Sequence, residues 1–144
     1  MKAYADTGFV VSLYKRETTT PAAALAMSRL QPPVYLSELC RLEFHNALQL
    51  AVFRGELEPA AADRKKQVFL DDLRRGVFTV VAIPVVAVYA RAIELAERHT
   101  AGLGTRSLDL LHVAGALCLE VDVFLGFDQR QRQVAQAEGL EVRP

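Results

Sequence analysis

The sequence predicts an α/β fold built on a short parallel sheet with helices on both faces. Short apolar runs alternate with helical stretches along the whole chain. Helical connections between successive strands imply right-handed βαβ units rather than hairpins. Residues 77–83 form a continuous, largely β-branched run, which suits a strand buried on both faces. At 144 residues the chain is expected to be one domain with a substantial core.

The first strand is Ala3–Ala5, which ends at Asp6, and a helix follows from Thr7 to about Tyr14. Residues 15–21 are a polar loop. Pro21 suits a first helical position, and residues 22–30 are alanine-rich and helical until Pro32-Pro33 stops them. Val34–Leu36 is the second strand. Ser37 caps a helix to about Arg54, and Gly55 ends it. Pro59 opens the next helix, which runs to the Arg74-Arg75-Gly76 break. Pro84 starts a helix to about His99, and residues 101–106 are a glycine-containing loop. Ser107 is the expected N-cap of a helix that is apolar almost all round and should be buried. Asp109 and His112 interrupt it and, being three apart, share a face. Val123–Leu125 is another strand, Asp128 starts the last helix, Gly139 ends it, and residues 140–142 fit an edge strand.

Composition narrows the function classes. Lys and Arg number 17 against 17 Asp and Glu, so no overall basic excess announces nucleic-acid binding, although a local patch needs none. Cys40 and Cys118 sit in apolar helical patterns and read as buried thiols of a reducing compartment. Three histidines and no CxxC indicate no zinc site. Neither a signal pattern nor a membrane span is expected, which points to a cytoplasmic protein.

Four acids stand in positions that stability alone explains poorly. In open parallel sheets ligands bind beyond the carboxyl ends of strands, where Asp6 and Asp128 fall. Both also suit helix N-caps. Glu43 points to the face opposite Arg41, His45 and Gln49, alongside Leu39, Ala47 and Leu50, where burial is expected. Asn46 is its nearest polar neighbour on that wheel. Asp109 lies on the buried helix, where a carboxylate is costly unless paired, although its first-turn place also answers the helix dipole. If the four converge, repulsion raises some pKa values, and a divalent cation removes the conflict. Carboxylates with few nitrogen or sulfur donors suit Mg²⁺ or Mn²⁺, ions that activate water for phosphodiester cleavage.

Four segments carry a resemblance. They are Tyr4-Ala5-Asp6-Thr7, Leu36-Ser37-Glu38-Leu39 leading to Glu43, the run from Arg106 to Ala114, and Phe124-Leu125-Gly126-Phe127-Asp128. In this order and spacing the sequence resembles the PIN domain, in particular the VapC-type toxin ribonucleases. The resemblance implies a three-layer α/β/α fold and an acidic quartet of Asp6, Glu43, Asp109 and Asp128. Asp6, Asp109 and Asp128 would hold Mg²⁺ or Mn²⁺. It further implies endonucleolytic RNA cleavage by metal-activated water, a cognate antitoxin and a homodimer. The non-enzymatic alternative is a degenerate PIN module that only binds. Gly126 and Gly8 depart from the family, which often carries a hydroxyl residue at each place.

Other residues read more plainly. His112 either meets substrate or hydrogen-bonds within the fold. Glu38, Asp71, Asp72 and Asp122 stand outside the site. Arg106, Arg130 and Arg132 flank the acidic motifs and could meet RNA phosphates. Phe9, Val10, Leu13 and Tyr14 are either core or a partner surface. A receiver domain would need an acid after the middle strand, where Ala82-Ile83-Pro84 stands. A haloacid-dehalogenase phosphatase would need Asp at position 8, which is Gly.

Overall fold

A computed structural model describes residues 1–144. The strands are β1 (Ala3–Ala5), β2 (Val34–Leu36), β3 (Phe78–Val80), β4 (Val123–Leu125) and β5 (Glu141–Arg143). The helices are α1 (Thr7–Tyr14), α2 (Thr20–Ser28), α3 (Glu38–Phe53), α4 (Pro59–Arg74), α5 (Val85–Leu95), α6 (Ala101–Leu103), α7 (Ser107–Cys118) and α8 (Gln129–Ala137). All sheet pairings are parallel, in the order β3-β2-β1-β4-β5.

Side-chain alternation along these three-residue strands divides the interior in two. Ala3, Ala5, Val34, Leu36, Val123 and Leu125 pack with α1 to α4 around Phe9, Phe44 and Phe69. Tyr4 and Phe124 face the other way and pack with α5, α7 and α8 around Val113, Ala114 and Val134. This is the expected three-layer α/β/α arrangement. The connections from β1 to β3 wind one way and those from β3 to β5 return on the other side of β1. The switch point therefore falls between β1 and β4, and the crevice beyond their carboxyl ends is where such sheets bind ligands.

Three local expectations need correction. Residues 77–83 are not a doubly buried strand. Only Phe78–Val80 pairs, at the sheet edge, with Thr79 exposed. The apolar residues beyond it serve helix packing instead, and Ile83 lies 3.6 Å from the place a Cβ on Gly115 would occupy. Residues 101–106 are not all loop, because the helix passes through a π turn at Ala96–Thr100 into α6 and stops at Gly104, whose φ of 65° only glycine adopts freely. The N-cap of α7 is Arg106, not Ser107, because Asp109 Oδ2 accepts from the Arg106 backbone N–H at 3.3 Å and draws that residue into the cap.

Candidate active site

The four acids come from four elements to one crevice. Asp6 follows β1 and caps α1, with Oδ1 accepting from the Phe9 backbone N–H at 2.8 Å. It is 3 % exposed. Burial pushes its pKa from 3.8 up to about 6. The Phe9 hydrogen bond and the His112 charge oppose that rise, while the charges of Asp128 and Glu43 add to it. Asp128 follows β4 and caps α8, its Oδ1 accepting from the Gln131 backbone N–H at 3.0 Å.

Glu43 reaches the crevice from α3. Burial raises its pKa, but hydrogen bonds from His112 and Thr7 outweigh that, and the net shift is downward. His112 Nε2 stands 2.6 Å from Glu43 Oε1, and Thr7 Oγ1 donates to the same oxygen at 2.8 Å. Because an ionised carboxylate only accepts, Nε2 carries a proton. The other ring nitrogen lies 2.8 Å from the Tyr4 hydroxyl, which donates to Ser37 Oγ at 2.9 Å. His112 is 2 % exposed, so of the two roles open to it the structural one holds: it anchors Glu43. Asn46, the partner expected for Glu43, is exposed and makes no hydrogen bond with it; Thr7 and His112 take that place.

Asp109 lies on the same face of α7, 7 % exposed. Its Oδ1 accepts from Gln131 Nε2 at 2.9 Å, and Arg106 Nε stands 3.3 Å from Oδ2. Its charge in turn opposes ionisation of Glu43. Asp6 thus feels the charges of Asp128 and Glu43, and Glu43 feels that of Asp109.

The carboxylates share the crevice without touching. No group of three His, Cys, Asp or Glu side chains is close enough to hold an ion between them. Backbone N–H donors from Phe9, Gln131 and Arg106 hold three of the four carboxylates in place. The donor set is all hard oxygen, and Asp6 Oδ2 accepts no hydrogen bond from the protein. Such a set fits Mg²⁺ or Mn²⁺ bound through one or two carboxylates with waters retained.

Gly126 is explained by close approach. A Cβ there would stand 3.0 Å from Asp6 Oδ2 and 3.0 Å from Phe124. At Gly8 the same atom would stand 3.8 Å from Asp6 Oδ1, which is ordinary contact. The remaining residues fall outside the site. Glu38 pairs with Arg41 and Asp71 with Arg74, but Asp72 accepts from the Tyr14 hydroxyl at 2.6 Å and is no simple solvated acid. Arg132 is engaged by the Gly126 and Pro144 carbonyls. Phe9 and Val10 are core. Sequence reasoning missed Gln131 and Thr7. The spacing Asp128-x-x-Gln131 is a capping-box signal that could have drawn attention to the former.

A PIN domain family model matches residues 3–137. The chain belongs to the PIN domain family. Among solved structures, VapC20 of Mycobacterium tuberculosis, a sarcin-ricin loop cleaving toxin, is similar at a TM-score of 0.70 and 20% identity, over 99% of this chain and 100% of that one. VapBC2 of Rickettsia felis, bound to a promoter DNA fragment, is similar at a TM-score of 0.72 and 13% identity, over 99% and 98%. VapBC-1 of nontypeable Haemophilus influenzae gives 0.62 and 17%, over 99% and 97%. No curated protein sequence matches this PIN domain.

Proposed function

We propose that this PIN domain is a divalent-metal-dependent endoribonuclease of the VapC toxin type. The observation that carries the reading is the hydrogen-bond framework that gathers four carboxylates from four elements: Thr7, next to Asp6, and His112, on the helix of Asp109, both hold Glu43, and Gln131 holds Asp109 and Asp128. One or two of the carboxylates of Asp6, Asp109 and Asp128, with waters retained in the other positions, would hold Mg²⁺ or Mn²⁺, which would supply Lewis acidity and a more acidic bound water. Glu43, ionised and fixed by Thr7 and His112, is poised to take a proton from the attacking water. The Tyr4–His112 contact keeps the imidazole from rotating away from Glu43. Retention of all four acids disfavours a purely binding role.

The toxin reading brings a cognate antitoxin, which would place an Arg near Asp6 and Asp109. The chain's own Arg106 guanidinium, 3.3 Å from Asp109 Oδ2, supports this reading, since a cation is already accepted beside that carboxylate. A homodimer is supported by Val85, Val86, Tyr89 and Ile93, which leave an apolar face of α5 exposed. No helix is long and apolar enough to cross a membrane, and we place the activity in the cytoplasm with its RNA. The test is cleavage of cellular RNA by purified protein with Mn²⁺ or with EDTA, with the ends mapped. Cleavage with Mn²⁺ alone is expected. Equal cleavage in EDTA would refute the metal, and no cleavage in either would leave only the binding role.

A further inference from the structure

Gln131 occupies an energetically poor position. It is 6 % exposed, and its Oε1 is the one buried side-chain nitrogen or oxygen with no hydrogen-bond partner. A buried acceptor in that state carries its full desolvation cost and calls for a compensating role. The other atoms of the residue supply one. The Gln131 backbone N–H donates to Asp128 Oδ1 at 3.0 Å, and Nε2 donates to Asp109 Oδ1 at 2.9 Å. A carboxylate oxygen only accepts, so the amide must turn its nitrogen toward Asp109, and Oε1 is stranded as a result. The residue is third in α8, a position whose side chain usually folds back to its own N-cap. Here it crosses to α7 instead.

We propose that Gln131 is a positioning residue that sets the spacing between the Asp109 and Asp128 carboxylates, so that the two serve one divalent cation. The inference rests on the metal-dependent reading above. No other hydrogen bond ties these two acids, one in α7 and one capping α8, to a common residue.

The experiment measures Mn²⁺ affinity by calorimetry on the full chain, together with the metal-free melting midpoint. Wild type is compared with Gln131→Met, which keeps length and volume but has no amide. Wild type is expected to bind Mn²⁺, and the variant to bind it roughly 10–100-fold more weakly, as for other residues that orient metal ligands. The metal-free midpoint should move little, because the stranded oxygen is gone while Asp109 Oδ1 loses its donor. A purely structural role predicts a lower midpoint at unchanged affinity, and that result overturns the proposal. Wild type without Mn²⁺ binding overturns the metal reading and this inference together. Wild-type binding matched by the variant overturns this inference alone. Should Gln131→Met fail to fold, Gln131→Ala is judged by the same affinity ratio. If neither folds, Gln131 belongs to the core and the proposal is wrong.

Discussion

Replacing Asp6 with Asn should make the metal-free protein more stable and the enzyme inactive. Asn keeps an oxygen for the Phe9 N–H, so the cap of α1 survives while the charge is lost. Burial lifts the Asp6 pKa from 3.8 to about 6, so the folded state holds this proton more tightly than the unfolded chain does. Stability from this group is therefore fully present below pH 3.8 and is lost as pH rises through about 6. A shift of about two units corresponds to about 3 kcal/mol once both states are ionised. Asp6→Asn escapes that loss. In EDTA at pH 8 its urea-derived stability should exceed wild type by about 3 kcal/mol, or roughly 10 °C in Tm for a chain of this size. At pH 4 the two should converge. A variant no more stable at pH 8, or equally stabilised at both pH values, would refute the electrostatic account of the crevice.

Gly126→Ser should cost about 1–3 kcal/mol by urea denaturation and sharply reduce RNA cleavage, because the new Cβ presses on Asp6 and the Phe124 ring. Gly8→Ser should leave stability within about 0.5 kcal/mol, because its Cβ meets only ordinary contact. Equal effects at the two glycines would show that proximity to Asp6 is not the cause. Glu43→Gln should abolish cleavage while the circular-dichroism spectrum stays native. Because the Glu43 pKa is lowered, its carboxylate contributes stability above the unfolded pKa that is lost as pH falls. The variant should thus be slightly less stable than wild type at pH 7, the difference being damped by the solvent that reaches Glu43. Full activity in Glu43→Gln would remove that residue from the reaction.

The acids were legible because each breaks a local pattern. Asp6 and Asp128 end strands, Asp109 interrupts a buried helix, and Glu43 leaves the polar face of α3. The strands at residues 3–5, 34–36 and 123–125 were legible for the converse reason, being short apolar runs that stop at a cap. The edge position of β3 was not, because an apolar run reads alike whether it packs in a sheet or against α5 and α7. Nor was the choice between Asn46 and His112 as the partner of Glu43. A helical wheel gives the direction of a side chain but not what the sheet carries opposite it. Gln131 was hidden by its ordinary place in a first helical turn. Only the fold shows that α7 stands close enough to divert its amide.

The two helical layers have separate apolar interiors divided by strands three residues long. Above the sheet they meet at the hydrogen bond between Glu43 on α3 and His112 on α7. On the proposed reading that contact would act as a latch between the layers as well as a support for Glu43. A substitution that shifts one layer on the sheet, even deep among Phe44 and Phe69, would then change the latch before it changes the opposite core. Loss of activity in such a variant would then precede loss of fold, and core residues far from the crevice would score as functional in a growth-based screen.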